Sequence, residues 1–118
     1  MKYYIVAGEA SGDLHGSNLM KGLYEEDSEA SVRFWGGPLM DSVYKQHETG
    51  EGLVEDYRGG AVMGLFEVIR KGPQLLSRVG RCKKDIAAWN PDVVILIDYP
   101  GFNFKIAEFA HNTGFKDY

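Results

Sequence analysis

Four short apolar runs, and the stretches of helical period between them, set the expected element order. Tyr3 to Ala7 (YYIVA) shows no polar alternation, and such a run reads as a strand buried on both faces, as in a parallel sheet. It breaks into Gly8-Glu9-Ala10-Ser11-Gly12-Asp13, where Asp13 is the expected N-cap of a helix from about Leu14 to Glu26. Val32 to Trp35 predicts a second strand, stopped by Gly36-Gly37-Pro38, and Leu39 to Gln46 a short helix. Leu53-Val54 predicts a third, brief strand, and Gly59-Gly60 is a break. Two helical stretches come next: Val62 to Lys71, ended by Gly72-Pro73, and Pro73 to Trp89. In the second, Leu75, Leu76, Val79, Cys82, Ile86 and Trp89 recur at helical spacing, and Pro73 is a good first helical position. Val93 to Ile97 (VVILI) is the strongest strand pattern and ends at Asp98-Tyr99-Pro100-Gly101. A last helix is expected from Asn103 to about His111, and Gly114 to Tyr118 reads as the approach to another strand that never comes.

Strands alternating with helices imply right-handed crossovers that cover both faces of a parallel sheet. The expected fold is therefore α/β, a Rossmann-like three-layer parallel sheet. At roughly 100–200 residues per domain, 118 residues make one domain, and the abrupt stop is that of the front part of a longer protein. With 44% hydrophobic and 25% charged residues, the composition argues against wholesale disorder and collagen-like sequence. One cysteine, Cys82, excludes an internal disulfide framework and a cysteine-based zinc cage. It suits a reducing cytoplasm, with Cys82 an inert helix residue. No apolar run approaches ~18 residues, so no bilayer span is expected. The opening MKYYIVAGEASGD enters a strand directly, without the layout of a signal peptide.

The net charge of −4 argues against nucleic acid as a partner, yet it hides an asymmetry. Between Met63 and Asp85, six bases (Arg70, Lys71, Arg78, Arg81, Lys83, Lys84) face two acids (Glu67, Asp85), a local +4. One reading is the solvated face of two helices whose apolar stripes pack on the sheet. The other is an interfacial surface, with apolar side chains pressed into lipid beside cations that meet anionic head groups.

Candidate chemistry gathers where the strands end. In an open parallel sheet, ligands bind in the crevice beyond the carboxyl ends of the strands. Gly8 to Gly16 comes after the first strand there, and Asp98 to Asn103 after the last. If those strands are neighbours, Glu9, Ser11 and Asp98 face one cleft. The first loop is neither a P-loop, since Lys followed by Ser or Thr is missing, nor the dinucleotide fingerprint, since glycines 8, 12 and 16 do not fit G-x-G-x-x-G. Glu9 and Asp13 would repel a phosphate held too near, so a sugar or another hydroxyl-rich ligand suits the loop better. A tight βα turn with a capping Asp13 remains the alternative. Asp98 comes directly after five apolar strand residues, where burial would raise its pKa and suit it to general-base work; capping the next helix is the plainer role. His15, His47 and His111 show no metal-ligand pattern, and Trp35 and Trp89 read as core or rim packing.

Four motifs then fall into one order across nearly the whole chain. They are Gly8 to Asp13; Gly36-Gly37 with Met40; Val62-Met63-Gly64 with Glu67-Val68; and Pro91-Asp92 followed by Asp98, Pro100, Phe102 and Asn103. Together they resemble the bacterial lipid-A-disaccharide synthases. Gly101 departs from the acidic residue often seen between the Pro and Phe of the last motif. The resemblance implies a B-type glycosyltransferase of two Rossmann-like halves. Residues 1–118 are then an incomplete N-terminal, acceptor-side domain, and the C-terminal nucleotide-sugar domain is absent. The implied reaction is inverting transfer of 2,3-diacylglucosamine from UDP-2,3-diacylglucosamine to 2,3-diacylglucosamine 1-phosphate, giving the lipid A disaccharide 1-phosphate and UDP.

The resemblance further implies that Asp98 is the catalytic base, with Glu9 in the same site. Ser11, Gly12, Asp13, Asn103, Met63 and Glu67 would bind substrate. Leu65, Phe66, Val68, Ile69, Arg70 and Lys71 would contact acyl chains or membrane, at the cytoplasmic side of the inner membrane. No cofactor or metal is implied, in keeping with the lack of an Asp-x-Asp pair. Most of the nucleotide site would lie in the other half, so this chain alone is expected to be inactive. Its exposed sheet edge favours association, including homodimer formation. Two alternatives stay open: a flavodoxin-like FMN-binding electron carrier, and a non-catalytic membrane-binding domain.

Overall fold

Alternation along the first strand decides which side of the sheet each half of the chain covers. The computed structural model describes residues 1–57, 72–97, 100–114 and 116–117. In β1 (Lys2–Ala7), Tyr3, Ile5 and Ala7 point into one core and Tyr4 and Val6 into another, as the period of two along a strand requires. The first core lies under α1 (Ala10–Glu26) and α2 (Pro38–His47), which contribute Met20, Met40, Val43 and Tyr44. The second lies under α3 (Gly72–Trp89) and α4 (Pro100–Thr113), which contribute Val79, Cys82, Ile86 and Ile106. The expected three layers are present.

The strands β2 (Ser31–Gly36), β3 (Leu53–Asp56), β4 (Val93–Ile97) and β5 (Lys116–Asp117) complete an all-parallel sheet in the order β3-β2-β1-β4-β5. The chain thus builds outward from β1 to β3, then returns to place β4 on the other side of β1. That reversal is a topological switch point, where open α/β sheets form their ligand crevice. The register across it is direct: Ile5 pairs with Ile95 and Ala7 with Ile97.

Several boundaries differ from expectation. Helix α1 begins at Ala10, not Leu14, because Glu9 takes the extended N-cap conformation (φ −152°, ψ 173°); Asp13 is therefore inside the first turn and is not its cap. Helix α4 begins at Pro100, three residues before Asn103, since proline suits a first helical position. The apolar run of β4 is fully buried only at Val93 and Val94; Ile95 to Ile97 are partly buried against the two cores. The segment read as the approach to a strand that never comes does form a short one: β5 pairs Lys116 and Asp117 with Val93 and Val94. The helix expected over Val62 to Lys71 lies outside the described residues.

Candidate functional site at the carboxyl edge

Two glycines let the first turns of α1 sit directly on the strand ends and on α2. A Cβ on Gly12 would stand 3.1 Å from Ala7 Cβ and 3.6 Å from the carbonyl oxygen of Ile97. Gly12 therefore serves close packing of α1 over β1 and β4, and is buried. Glu9 and Ser11 remain exposed at this edge, and the Glu9 carboxylate makes no capping hydrogen bond to its own helix.

Asp13 is the residue whose role sequence reasoning missed. It is 1% exposed, and its carboxylate accepts three backbone N–H groups from the start of α2. Oδ1 takes those of Gly37 and Met40, and Oδ2 that of Leu39, all at 3.0 Å. Helix α2 has Gly37 at its N-cap and no side-chain cap of its own, so Asp13 caps it from a neighbouring helix. Negative charge at a helix N-terminus is favoured by the dipole and by charge-assisted hydrogen bonds. The contacts the Asp13 carboxylate makes in this structure are thus structural, to the start of α2. A signal was present: a Gly-Gly-Pro helix start without Ser, Thr, Asp or Asn needs a cap from elsewhere.

The loop after β2 is closed just as tightly. Met40 fills the space beside Gly16, where a Cβ would lie 2.6 Å from its sulfur, and it also abuts Gly36. The ring of Tyr57 occupies the space a side chain at Gly37 would need. Leu14 and Leu39, in the first turns of α1 and α2, are half-exposed apolar residues on this rim.

On the β4 side, Asn103 lies in the first turn of α4 and is 8% exposed. The structure therefore brings Glu9, Ser11 and Asn103 to the ends of adjacent strands. Asp98, Met63, Leu65, Phe66, Glu67, Val68, Ile69, Arg70 and Lys71 lie outside the described residues. In the described part of the basic island, Val79, Cys82 and Ile86 are buried against the sheet. Arg78 and Arg81 approach Glu55 at 3.8 and 3.0 Å and lie over the Trp35 ring. Burial pushes the Cys82 thiol up to about 12, which fits an inert residue. Among the described residues, no group of three or more His, Cys, Asp or Glu is gathered to hold a metal ion. No described helix is long and apolar enough to cross a membrane.

Fold and edge together define a Rossmann-like α/β domain with its crevice at the switch between β1 and β4. A crystal structure described as a putative UDP-N-acetylglucosamine 2-epimerase from Listeria monocytogenes shares this fold, with a TM-score of 0.62 at 19% identity over 98% of this chain and 29% of that one. The sequence profile of the lipid-A-disaccharide synthetase family matches residues 3–118, and the chain belongs to that family. A lipid-A-disaccharide synthase of Geobacter metallireducens is 42% identical over 95% of this chain. One of Chromohalobacter salexigens is 37% identical over 98%. The chain spans about 28% of the length of each of these two relatives.

Proposed function

We propose that this chain is the N-terminal, acceptor-side domain of an inverting B-type glycosyltransferase of lipid A assembly. The whole enzyme transfers 2,3-diacylglucosamine from its UDP derivative to 2,3-diacylglucosamine 1-phosphate. The observation that carries the reading, beside family membership, is the pairing of Ala7 with Ile97. Consecutive Cα atoms are about 3.8 Å apart, and Glu9 and Asp98 come two residues and one residue after these neighbouring strand ends.

In this mechanism Asp98 takes the proton of the acceptor hydroxyl as that oxygen bonds to the anomeric carbon. The bond from that carbon to the UDP phosphate oxygen breaks, and the electron pair leaves with UDP. Attack opposite the leaving group inverts the centre. Glu9 and Ser11 orient the acceptor by hydrogen bonds to its hydroxyls, and Asn103 orders the start of α4. The segment around Leu65 to Lys71 receives the acyl chains at the cytoplasmic face of the inner membrane, where the enzyme is held peripherally.

The test is Asp98→Ala in the full-length enzyme, assayed for disaccharide from the two lipid sugars. Loss of general-base help lowers kcat about 10²–10⁴-fold; an unchanged kcat refutes the assignment. The 118-residue chain alone should give no product, because the nucleotide site is assigned to the other half. Appreciable turnover by it overturns that division of labour.

A further inference from the structure

The first turn of α1 is pinned on two sides, and both pins bear on Glu9. Toward β4, Gly12 leaves no room between α1 and the Ala7–Ile97 pair. Toward α2, the buried Asp13 carboxylate holds the N–H groups of Gly37, Leu39 and Met40. Asp13 is itself bonded to the residue at issue: its N–H donates to the Glu9 carbonyl at 2.9 Å. That bond is the first of the helix's own backbone ladder, so Glu9, as N-cap, belongs to the same turn that the buried Asp13 carboxylate anchors to α2.

Resting on the transferase reading, we infer that Asp13 is a positioning residue that fixes Glu9 against the acceptor by tying the β1 loop to the start of α2. The alternatives are a direct substrate contact and a purely structural cap. A direct contact is disfavoured by 1% exposure and by three N–H groups already on the carboxylate. A purely structural cap predicts loss of stability with no specific link to Glu9. A misplacement of about 1 Å at a reacting group costs about 10²-fold in rate, so a slackened tie has a measurable cost even in a folded enzyme.

A double-mutant cycle in the full-length enzyme separates these roles. Glu9→Gln, Asp13→Asn and the double variant are compared for kcat and KM, with rates referred to folded protein by circular dichroism. Asp13→Asn keeps the side-chain volume and should lower kcat about 10- to 100-fold, with KM for both sugars within about threefold of wild type. In the Glu9→Gln background the same change should cost less than about twofold, because the residue it positions is already disabled. Asp13→Ser, which keeps a shorter acceptor in place, should act in the same direction and stands in if the amide variant does not fold. Multiplicative losses, a loss confined to KM, or a Glu9→Gln enzyme as fast as wild type each overturn the inference. A wild-type enzyme that makes no disaccharide overturns the transferase reading itself, and the inference with it.

Discussion

The two faces of the sheet solve the same packing problem by different means. On the α1–α2 face, glycines at 12, 16 and 36 let helices and strands approach closely, and one buried carboxylate joins two helices. On the α3–α4 face, a polar chain crosses the layers. Trp35 Nε1 donates to the Tyr4 hydroxyl at 2.8 Å, and Tyr4 donates to Asp85 at 2.7 Å. Arg33 donates twice to the same carboxylate, at 2.6 and 2.7 Å. Burial raises the Asp85 carboxyl, but the hydrogen bonds from Arg33 and Tyr4 outweigh it and hold the group below the ordinary carboxylate range. Burial likewise drives the Tyr4 hydroxyl far above its usual range, so it stays a donor. On the first face one buried carboxylate joins the two helices, while Tyr24–Glu48 and Tyr3–Asp27 bonds stand apart from it. On the second, four residues are linked in series. The carboxyl edge with Glu9 rests on that single carboxylate of the first face.

That contrast can be broken, the largest effect coming first. Asp13→Ala leaves three N–H groups at a buried helix start without their acceptor, and should cost about 3 kcal/mol in chemical denaturation. Asp85→Asn should cost about 2 kcal/mol at neutral pH, since Tyr4 and part of the Arg33 interaction persist. This second deficit has a pH signature. Asp85 has a lower pKa folded than unfolded, so its contribution is present above the unfolded value of about 3.9 and is lost as pH falls below it. The gap between Asp85→Asn and wild type should therefore close in denaturation curves below about pH 4, and a gap constant with pH contradicts the ion pair. Gly16→Ala is the smallest perturbation: its methyl meets the end of a flexible Met40 side chain, for about 1 kcal/mol. Combining it with Met40→Ala should recover less than the cavity costs, which a denaturation midpoint will register.

How much was legible depends on whether a feature is local. Strand cores at Tyr3–Ala7 and Val93–Ile97, the helix stop at Asn90 and the apolar stripe of α3 come from periodicity and turn residues. All appear within a few residues of expectation. Asp13 escapes a sequence reading for a physical reason: an Asp after a strand is an ordinary N-cap for the next helix in the chain. Only packing shows that its carboxylate reaches a helix start 24 residues away. Arg33 and Asp85, 52 positions apart, carried no joint signal either. The basic island shows the same limit, since Arg78 and Arg81 read as free cations until Glu55 of β3 is placed beside them.

By itself, the amino-acid sequence determined the alternation of strands and helices, the two-sided burial of the sheet and the family motifs. Hydrophobic period and turn chemistry act over a few residues and are written in order along the chain. The tertiary structure alone decided that β4 returns to the side of β1, that Ala7 faces Ile97, and that Asp13 serves a helix other than its own. Those relations join residues far apart in sequence, and they exist only once burial and hydrogen bonding have brought the segments into contact.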